Sequence, residues 1–460
     1  MLDKLKNTSE GPDKLPPWYL RLAAPVFALP LAHLFNLSFS GATVPYQWKS
    51  SCITPVPKVS QPLQCEDFRP ISVKPILSRF LEKSIIRQSL YPIFVHPEYT
   101  HLFSDQFAFR PTGSCTAAII TILHKITDLL LVHPYVHLIA LDFSKAFDTV
   151  RHVSLFNKLA PLPVTDCTYN WLVDYFESRS HCTKLAAHRS NFSEINASFV
   201  QGFGLGPVAY AINAYDLRPL SKMNHIDKYA DDTYLIVASA YAHLIPQELE
   251  HIAIWATQNN LQLNHTKTVE MIRHKPGRKR DFTYPPVFPD IARVTQMKIL
   301  GVLLNDTVGF DCHIDNLVGL VAQSKYAIKL LRSHGLSGQS LWDITQATLV
   351  ARMLYASQSW WGFLDQAARN RLCSALRRVP RLGLCSPGLP GFEELCAQAD
   401  TNLFKQIMAN PSHFLHQLLP PVKITGHNLR SRMHDRVLPN PNDSLSRKKF
   451  FNRMLFLNIY

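Results

Sequence analysis

The chain has 460 residues, 47% of them apolar and 18% charged, which excludes a disordered chain and gives enough length for two to four packed units. Lys and Arg number 48 against 34 Asp and Glu, a net charge of +14. That excess suits a polyanionic partner, because each phosphate neutralised by a Lys or Arg releases a counterion, although charge alone does not separate nucleic acid from an anionic membrane.

Residues 1–40 read as a lead-in, with a polar start, a Pro16-Pro17-Trp18 stop and an apolar helix-like segment. The apolar run from Leu22 to Leu37 carries Pro25, Pro30 and His33, so it is too short and too broken for a bilayer span. The charged first fourteen residues do not have the pattern of a signal peptide. Nine cysteines lie between Cys52 and Cys396 with no Cys-Xaa-Xaa-Cys pair, which argues for reduced intracellular thiols and against a zinc site.

From Val44 to Lys58, Pro55 and Pro57 remove alternate backbone donors, so an edge strand or extended arm is expected. Asp67-Phe68-Arg69-Pro70-Ile71-Ser72 follows, then a helical period over Ile76 to Leu90. Lys58 and Arg69 are two cations close in sequence, whose plainest reading is surface charge. Residues 104–113 form a loop with a lone Arg110, leading to a helix from Thr116 to Val132. Tyr135 to Leu141 is rich in branched apolar residues, as in a buried strand. Asp142 stands at its C-terminal end, where α/β proteins place chemistry. Asp148 is placed to cap a helix beginning at Thr149.

Gly202, Gly204 and Gly206 precede Pro207, a pattern that permits close backbone approach before a helix start or, equally, a plain turn. Ile226 to Ala238 reads IDKYADDTYLIVA, with Asp231 and Asp232 between two apolar, β-branched runs. Asp favours turns over strands, so the stretch predicts a tight hairpin with both acids at its tip. Adjacent like charges cost free energy unless a cation neutralises them, and hard carboxylates suit Mg²⁺. A solvated acidic turn is the alternative for that motif taken singly. A helix from Pro246 to Asn259 follows, then Asn264 and Lys267-Thr268. Arg273 to Arg280 reads as a solvated basic loop, and Met297 to Leu304 as a strand interrupted at Gly301. The period turns helical from Ile314 to about Phe363, and the tail from Asn370 ends basic and aromatic.

Taken in order, Lys58, Asp67 to Ile71, Gln106 to Arg110, LDFSKAFD at 141–148, VQGFGLGP at 200–207, YADD at 229–232, Asn264 with Lys267-Thr268, and LGV at 300–302 resemble the reverse transcriptase of non-LTR (LINE-type, jockey/CR1-like) retrotransposons. The resemblance covers roughly residues 15–370. It implies an α+β right-hand polymerase: a lead-in at 1–40, fingers and an antiparallel palm sheet over 41–308, a helical thumb over 309–370, and a C-terminal region of undefined role at 371–460. It implies RNA-directed synthesis of DNA from dNTPs on an RNA template and a DNA primer or target, with no membrane partner, in the nucleus or cytoplasm. Two Mg²⁺ ions, which Mn²⁺ can replace, would lie ~4 Å apart, held by Asp142 and Asp231, with Asp232 as charge support. By the same resemblance Lys58 and Arg69 clasp the triphosphate, Phe147 blocks a ribose 2′-hydroxyl, Gln201 and Gly202 line the nascent base pair, and Lys267 protonates the leaving pyrophosphate. Leu300-Gly301-Val302 resembles the primer-grip hairpin.

Two departures stand out. Phe203 puts a large ring where the family has a small residue beside the templating pair, which motivates a second reading, a weakened relic that binds nucleic acid. Only about 40 residues precede the motifs, where such elements generally carry an endonuclease, so a truncated element product is expected. An RNA-dependent RNA polymerase is a third reading, from Asp142 and Asp148 six apart; Phe147 and the YADD sequence tell against it.

Overall fold

A computed structural model of the chain describes residues 2–144, 146–195, 197–198, 202, 204–275, 283–423, 434–439 and 443–457. In chain order the strands are β1 (Ser50–Pro57), β2 (Phe68–Val73), β3 (Tyr135–Leu141), β4 (Phe143–Ser144), β5 (Arg179–Leu185), β6 (His188–Arg189), β7 (Ser193–Ile195), β8 (His225–Tyr229), β9 (Asp232–Ala238), β10 (Gln262–Leu263), β11 (Val269–His274), β12 (Ala292–Arg293), β13 (Gln296–Ile299) and β14 (Val302–Asn305). The chain divides into two compact units assembled from separated stretches. One comprises Met1–Pro111, Asp142–Arg218 and Gln247–Asn264; the other comprises Thr112–Leu141, Pro219–Pro246 and His265–Tyr460.

The first unit is built on a sheet ordered β2-β1-β5-β6, with β7 also paired to β5. β1 is therefore not the edge strand that its prolines suggest. It runs antiparallel to β2 along its length, from Cys52↔Val73 to Pro57↔Phe68, and parallel to β5 only from Ser50 to Ile53. The reason is local: the β5 pairing stops before Pro55 and Pro57, the two positions without a donor. The helix read over 76–90 is Ile76–Ile85 followed by a π-helical turn, Ile86–Leu90. The helix Ala24–Ser40 is tied to the helix Asp166–Phe176 by Trp171 Nε1 donating to Ser38 Oγ at 3.1 Å.

Beneath this sheet lies an ion pair that no motif signals. Lys74 and Glu82 are both fully buried and bonded to each other, and Lys74 Nζ also donates to the Tyr175 hydroxyl at 2.9 Å. The Arg179 guanidinium lies 4.4 Å from the Tyr175 ring centroid. Burial pulls the Lys74 ammonium down to about 7 against the opposing pull of Glu82, and pushes the Tyr175 hydroxyl well up.

The second unit holds the sheet β12-β11-β3-β9-β8, antiparallel except where β12 joins β11. β3 coincides with the expected buried strand. It is central, covered on both faces, and so reads as a continuous apolar run rather than an alternating one. The helix Cys115–Val132 packs on this sheet, with Ile119, Ile122, Leu123, Ile126 and Leu130 in one core with Leu138, Ile236 and Met271. Ser114 caps it by accepting from Ala117 N at 3.1 Å. This helix is long and apolar enough to cross a membrane by length and composition, and 56% of it is buried inside the protein.

Met297 to Leu304 is a hairpin, not one strand. Ile299 pairs with Val302, and the turn residues Leu300 and Gly301 have φ of +45° and +89°. Left-handed backbone at both central positions is what a two-residue hairpin turn needs to match strand twist. The helices Asp311–Ser333, Gln366–Arg381 and Phe392–Ala409 share one core, in which Leu317 and Val321 meet Leu372, Leu376, Phe392 and Leu445.

The basic stretch from Arg273 also needs correcting. Arg273 and His274 end β11 and are buried, with Arg273 Nη1 donating to Asn305 O at 2.7 Å. Burial lowers the Arg273 guanidinium to about 10, which still leaves it charged at neutral pH. Lys275 follows, its Nζ 3.1 Å from Asp443 Oδ2, and residues 276–280 lie outside the described residues. Local polarity misled here because the strand register, not the residue type, decides which side chains go inside.

Candidate active site

The hairpin forms as its sequence predicts, but only Asp231 lies in its turn, Asp232 being the first residue of β9. Tyr229 pairs with Asp232, so Ala230 and Asp231 make a two-residue turn, and Ala230 takes φ +58°. Behind the turn Leu235, Ile236, Val237 and Ala238 are all buried, which anchors β9 rigidly under the acids. Asp231 is half-buried and Asp232 exposed. The Tyr229 hydroxyl is pushed up to about 12, first by burial, then by a hydrogen bond to Cys115, with the Asp232 carboxylate adding to it. Tyr234 is likewise raised by burial and by Asp232.

The pairing of β3 with β9 ends at Leu141↔Thr233, and Asp142 is the next residue in the chain. Asp142 is half-buried, and its carbonyl accepts from Asn264 N at 2.8 Å, beside the Leu263↔Phe143 pairing. Asn264 thus fixes the backbone of the acid, a part in the site that its motif membership does not reveal.

Phe147 is half-buried and stacks on Tyr210, ring centroids 4.6 Å apart at 28°, with Phe109 edge-on at 6.4 Å. Its packing role is therefore real, whatever else it does. Asp148 does not cap a helix at Thr149. The helix runs His152–Leu159 from Arg151, whose extended φ/ψ of −78°/134° delays the start, and the Thr149 carbonyl accepts from Asn260 Nδ2 at 2.5 Å.

Lys58 and Arg69 lie on the β1–β2 hairpin, two register positions apart. Arg69 lies opposite Val56, and Lys58 N bonds Asp67 O at 2.7 Å while its Nζ donates to Glu66 O at 2.7 Å. Both side chains are exposed. Lys267 is exposed in the turn just before β11.

Gly202 has φ +101°, and a Cβ built on it would lie 2.6 Å from the carbonyl oxygen of Ser72. Glycine is required there twice over, by backbone conformation and by space. Gly202→Ala is expected to destabilise the protein by about 1–3 kcal/mol, and a urea midpoint identical to the parent's would remove that reading. Gln201 and Phe203 lie outside the described residues.

Among the described residues no group of three or more His, Cys, Asp or Glu is arranged to hold a metal by itself. The donors at the turn nevertheless suit a hard cation, since Mg²⁺ is usually held by one or two carboxylates, water and substrate phosphate oxygens. A half-buried carboxylate beside an exposed one on a rigid turn is such a donor set.

A family model for the reverse transcriptase (RNA-dependent DNA polymerase) matches residues 56–304, more than half the chain. The chain belongs to the reverse transcriptase family. Its curated relatives come from non-LTR transposons, as the ordered motifs imply. The probable RNA-directed DNA polymerase from transposon X-element of Drosophila melanogaster is 27% identical over 373 residues, covering 76% of this chain and 39% of that protein. The RNA-directed DNA polymerase from mobile element jockey of the same organism is 25% identical over 302 residues, covering 62% and 32%. The chain thus spans between about a third and two fifths of the length of these relatives. A solved telomerase from Candida Tropicalis, in complex with a fragment of telomeric RNA, superposes with TM-score 0.41 at 13% identity over 84% of this chain and 61% of that one, a likeness too distant to carry an argument. The α+β, right-hand polymerase class expected of the chain holds, and this family generally uses divalent metal ions.

Proposed function

We propose that the protein is an RNA-directed DNA polymerase that adds dNTPs to a primer 3′-hydroxyl on an RNA template. The observation that carries this is the turn at Ala230-Asp231, held by a buried central strand whose neighbour β3 leads straight into Asp142. Asp142 and Asp231 would hold Mg²⁺, or Mn²⁺ in its place, with Asp232 lending negative charge. The bound metal supplies Lewis-acid activation of the primer oxygen and neutralises triphosphate charge.

The chain's own groups do the rest. Lys58 and Arg69, exposed and two residues apart across the hairpin register, are available to a triphosphate, and the planar guanidinium suits its paired oxygens. Lys267 is a candidate general acid for the leaving pyrophosphate. Residues 41–308 would act as fingers and palm and 309–370 as thumb, in an intracellular setting, nucleus or cytoplasm, where RNA and a DNA end meet. The net charge of +14 supports nucleic acid as the partner.

Primer extension on a primed RNA template, comparing dNTPs with rNTPs, tests this reading; a purified, folded protein that extends neither would end it in favour of a relic that only binds, the alternative that Phe203 motivates. Phe147 sets the sugar choice in this scheme. Phe147→Ala should raise ribonucleotide incorporation relative to deoxynucleotide by at least tenfold, about 1.4 kcal/mol. An unchanged ratio would reduce Phe147 to a packing partner of Tyr210.

A further inference from the structure

The first unit holds a pair of thiols that no motif includes. β1 and β5 run parallel with Cys52 directly opposite Cys182. Residues opposite each other on neighbouring strands point to the same face, and such strands lie about 4.8 Å apart, within the Cα separation that a disulfide spans. Both cysteines are free thiols. Cys182 is fully buried, its Sγ donating to the Ser51 carbonyl at 3.7 Å and accepting from Arg189 Nε at 2.9 Å. Cys52 is half-buried.

Cys52 also lines a cavity of about 570 Å³ in the same unit, the size of a small-molecule site. Its charged walls are Lys14, Lys184 and Arg189 against Glu10, with His188 beside them. The excess is cationic, so an anionic guest is favoured. Arg189 serves two neighbours: it faces the cavity and it holds the Cys182 sulfur, where a guanidinium stabilises a thiolate. Burial, then the Cys182 thiol, raises the Cys52 thiol above its usual range, with Arg189 and Lys184 pulling the other way. Its thiolate is thus a minor form at neutral pH, and exchange there runs over minutes to hours.

We propose that Cys52 is a thiol-exchange site for anionic small-molecule disulfides, of which glutathione disulfide is the representative, and that Cys182 is its resolving thiol. In the first step the Cys52 thiolate attacks one sulfur of the guest. A Cys52–glutathione bond forms, the guest's S–S bond breaks, and the departing glutathione thiolate takes up the proton that Cys52 released. In the second step Cys182, deprotonated beside Arg189, attacks the Cys52 sulfur and displaces the other glutathione, which takes the Cys182 proton. Two protein thiols are oxidised, and one glutathione disulfide is reduced to two glutathiones. The bond ties β5 to β1, the strand that leads to Lys58. Parallel neighbours hold their Cβ atoms near the full strand spacing, wider than the roughly 3.8 Å of a relaxed disulfide. Strained disulfides are easily reduced, so an excess of glutathione thiol reverses the link.

The test needs no polymerase activity. The full chain, first reduced, is treated with glutathione disulfide or with uncharged hydroxyethyl disulfide, and adducts are located by peptide mass spectrometry. The exposed Cys167 confirms that each reagent is active. Lys14 and Lys184 are exposed, so replacing both by Gln leaves the fold intact. That double variant should slow glutathione addition at Cys52 by about threefold or more relative to hydroxyethyl disulfide. In the parent the Cys52 adduct should give way to a peptide linking Cys52 to Cys182, and reduced glutathione in excess should dissolve the link. Cys182→Ser should hold the exchange at the adduct. Equal slowing with both reagents overturns the anionic guest. An adduct that persists in the parent without the linked peptide overturns the part of Cys182. Labelling of Cys167 with none at Cys52 overturns the site.

Discussion

Replacing Asp231 with Asn is expected to reduce primer extension by several orders of magnitude while leaving nucleic-acid binding intact. The substitution keeps the shape of the turn, because Asn tolerates turn geometry as well as Asp does, but it removes a hard anionic donor. A cation held by only one or two carboxylates has little else to bind it, so the loss falls on the charge stabilisation of the transition state, usually the largest single contribution to catalysis. Binding is carried by many basic residues spread along a chain of net charge +14, and one removed carboxylate does not weaken those contacts. The measurements are single-nucleotide extension rates and a filter-binding affinity at fixed salt. Full activity in Asp231→Asn would sink the metal reading, and lost binding would point to a misfolded turn.

The second large effect lies in stability. Below pH 7, where Lys74 is charged, Lys74→Met leaves the Glu82 carboxylate buried without its cation, and breaking such a pair costs about 3–5 kcal/mol. Lys74→Met with Glu82→Leu should recover most of that, since an apolar pair of similar volume avoids the desolvation of both charges. The pH dependence has a definite sign. Burial sets Lys74 near 7 in the folded protein against 10.5 for the free side chain. Between those values the unfolded chain binds more protons, so stability rises with pH across that window, and it falls again as pH drops towards 7. One group contributes at most about 1.4 kcal/mol per pH unit. Urea midpoints between pH 7.5 and 9 should therefore climb more steeply in the parent than in the double variant. Equal slopes would mean that Lys74 titrates as an ordinary lysine.

What the sequence revealed and what it hid divide along one physical line. The acidic hairpin and β3 were legible because each is encoded within a few residues, by turn chemistry in one case and a continuous branched-apolar run in the other. The glycine loop was legible as a place of close approach, and Gly202 against Ser72 supplies the reason. Features that depend on a distant partner were not legible. The prolines of β1 indicated a missing donor but not that β5 would pair with the other half of the strand. Arg273 reads as solvent-exposed beside its basic neighbours, yet register turns it inward. Asp148 has the right chemistry for a cap, but the backbone at Arg151 decides where the helix starts. Lys74 with Glu82 has no local signature at all. Of the proposed site residues, Asp142, Asp231, Asp232, Phe147, Gly202, Lys58, Arg69 and Lys267 came from motif order, and that order carries their chemical roles.

The interleaving of the two units has a consequence for how the protein is made. Strand β3 leaves the ribosome early, but its partner β9 is encoded almost a hundred residues later, the pairing Leu141↔Thr233 being the nearest in sequence, and β11 later still. At roughly 5–20 residues per second of synthesis, an apolar strand and the helix before it wait on the order of 5–20 s for their sheet. Neither unit can close as the chain emerges, because each returns to stretches on both sides of the other. Each unit thus waits on its later stretches, with long loops to close and an apolar central strand meanwhile unpaired.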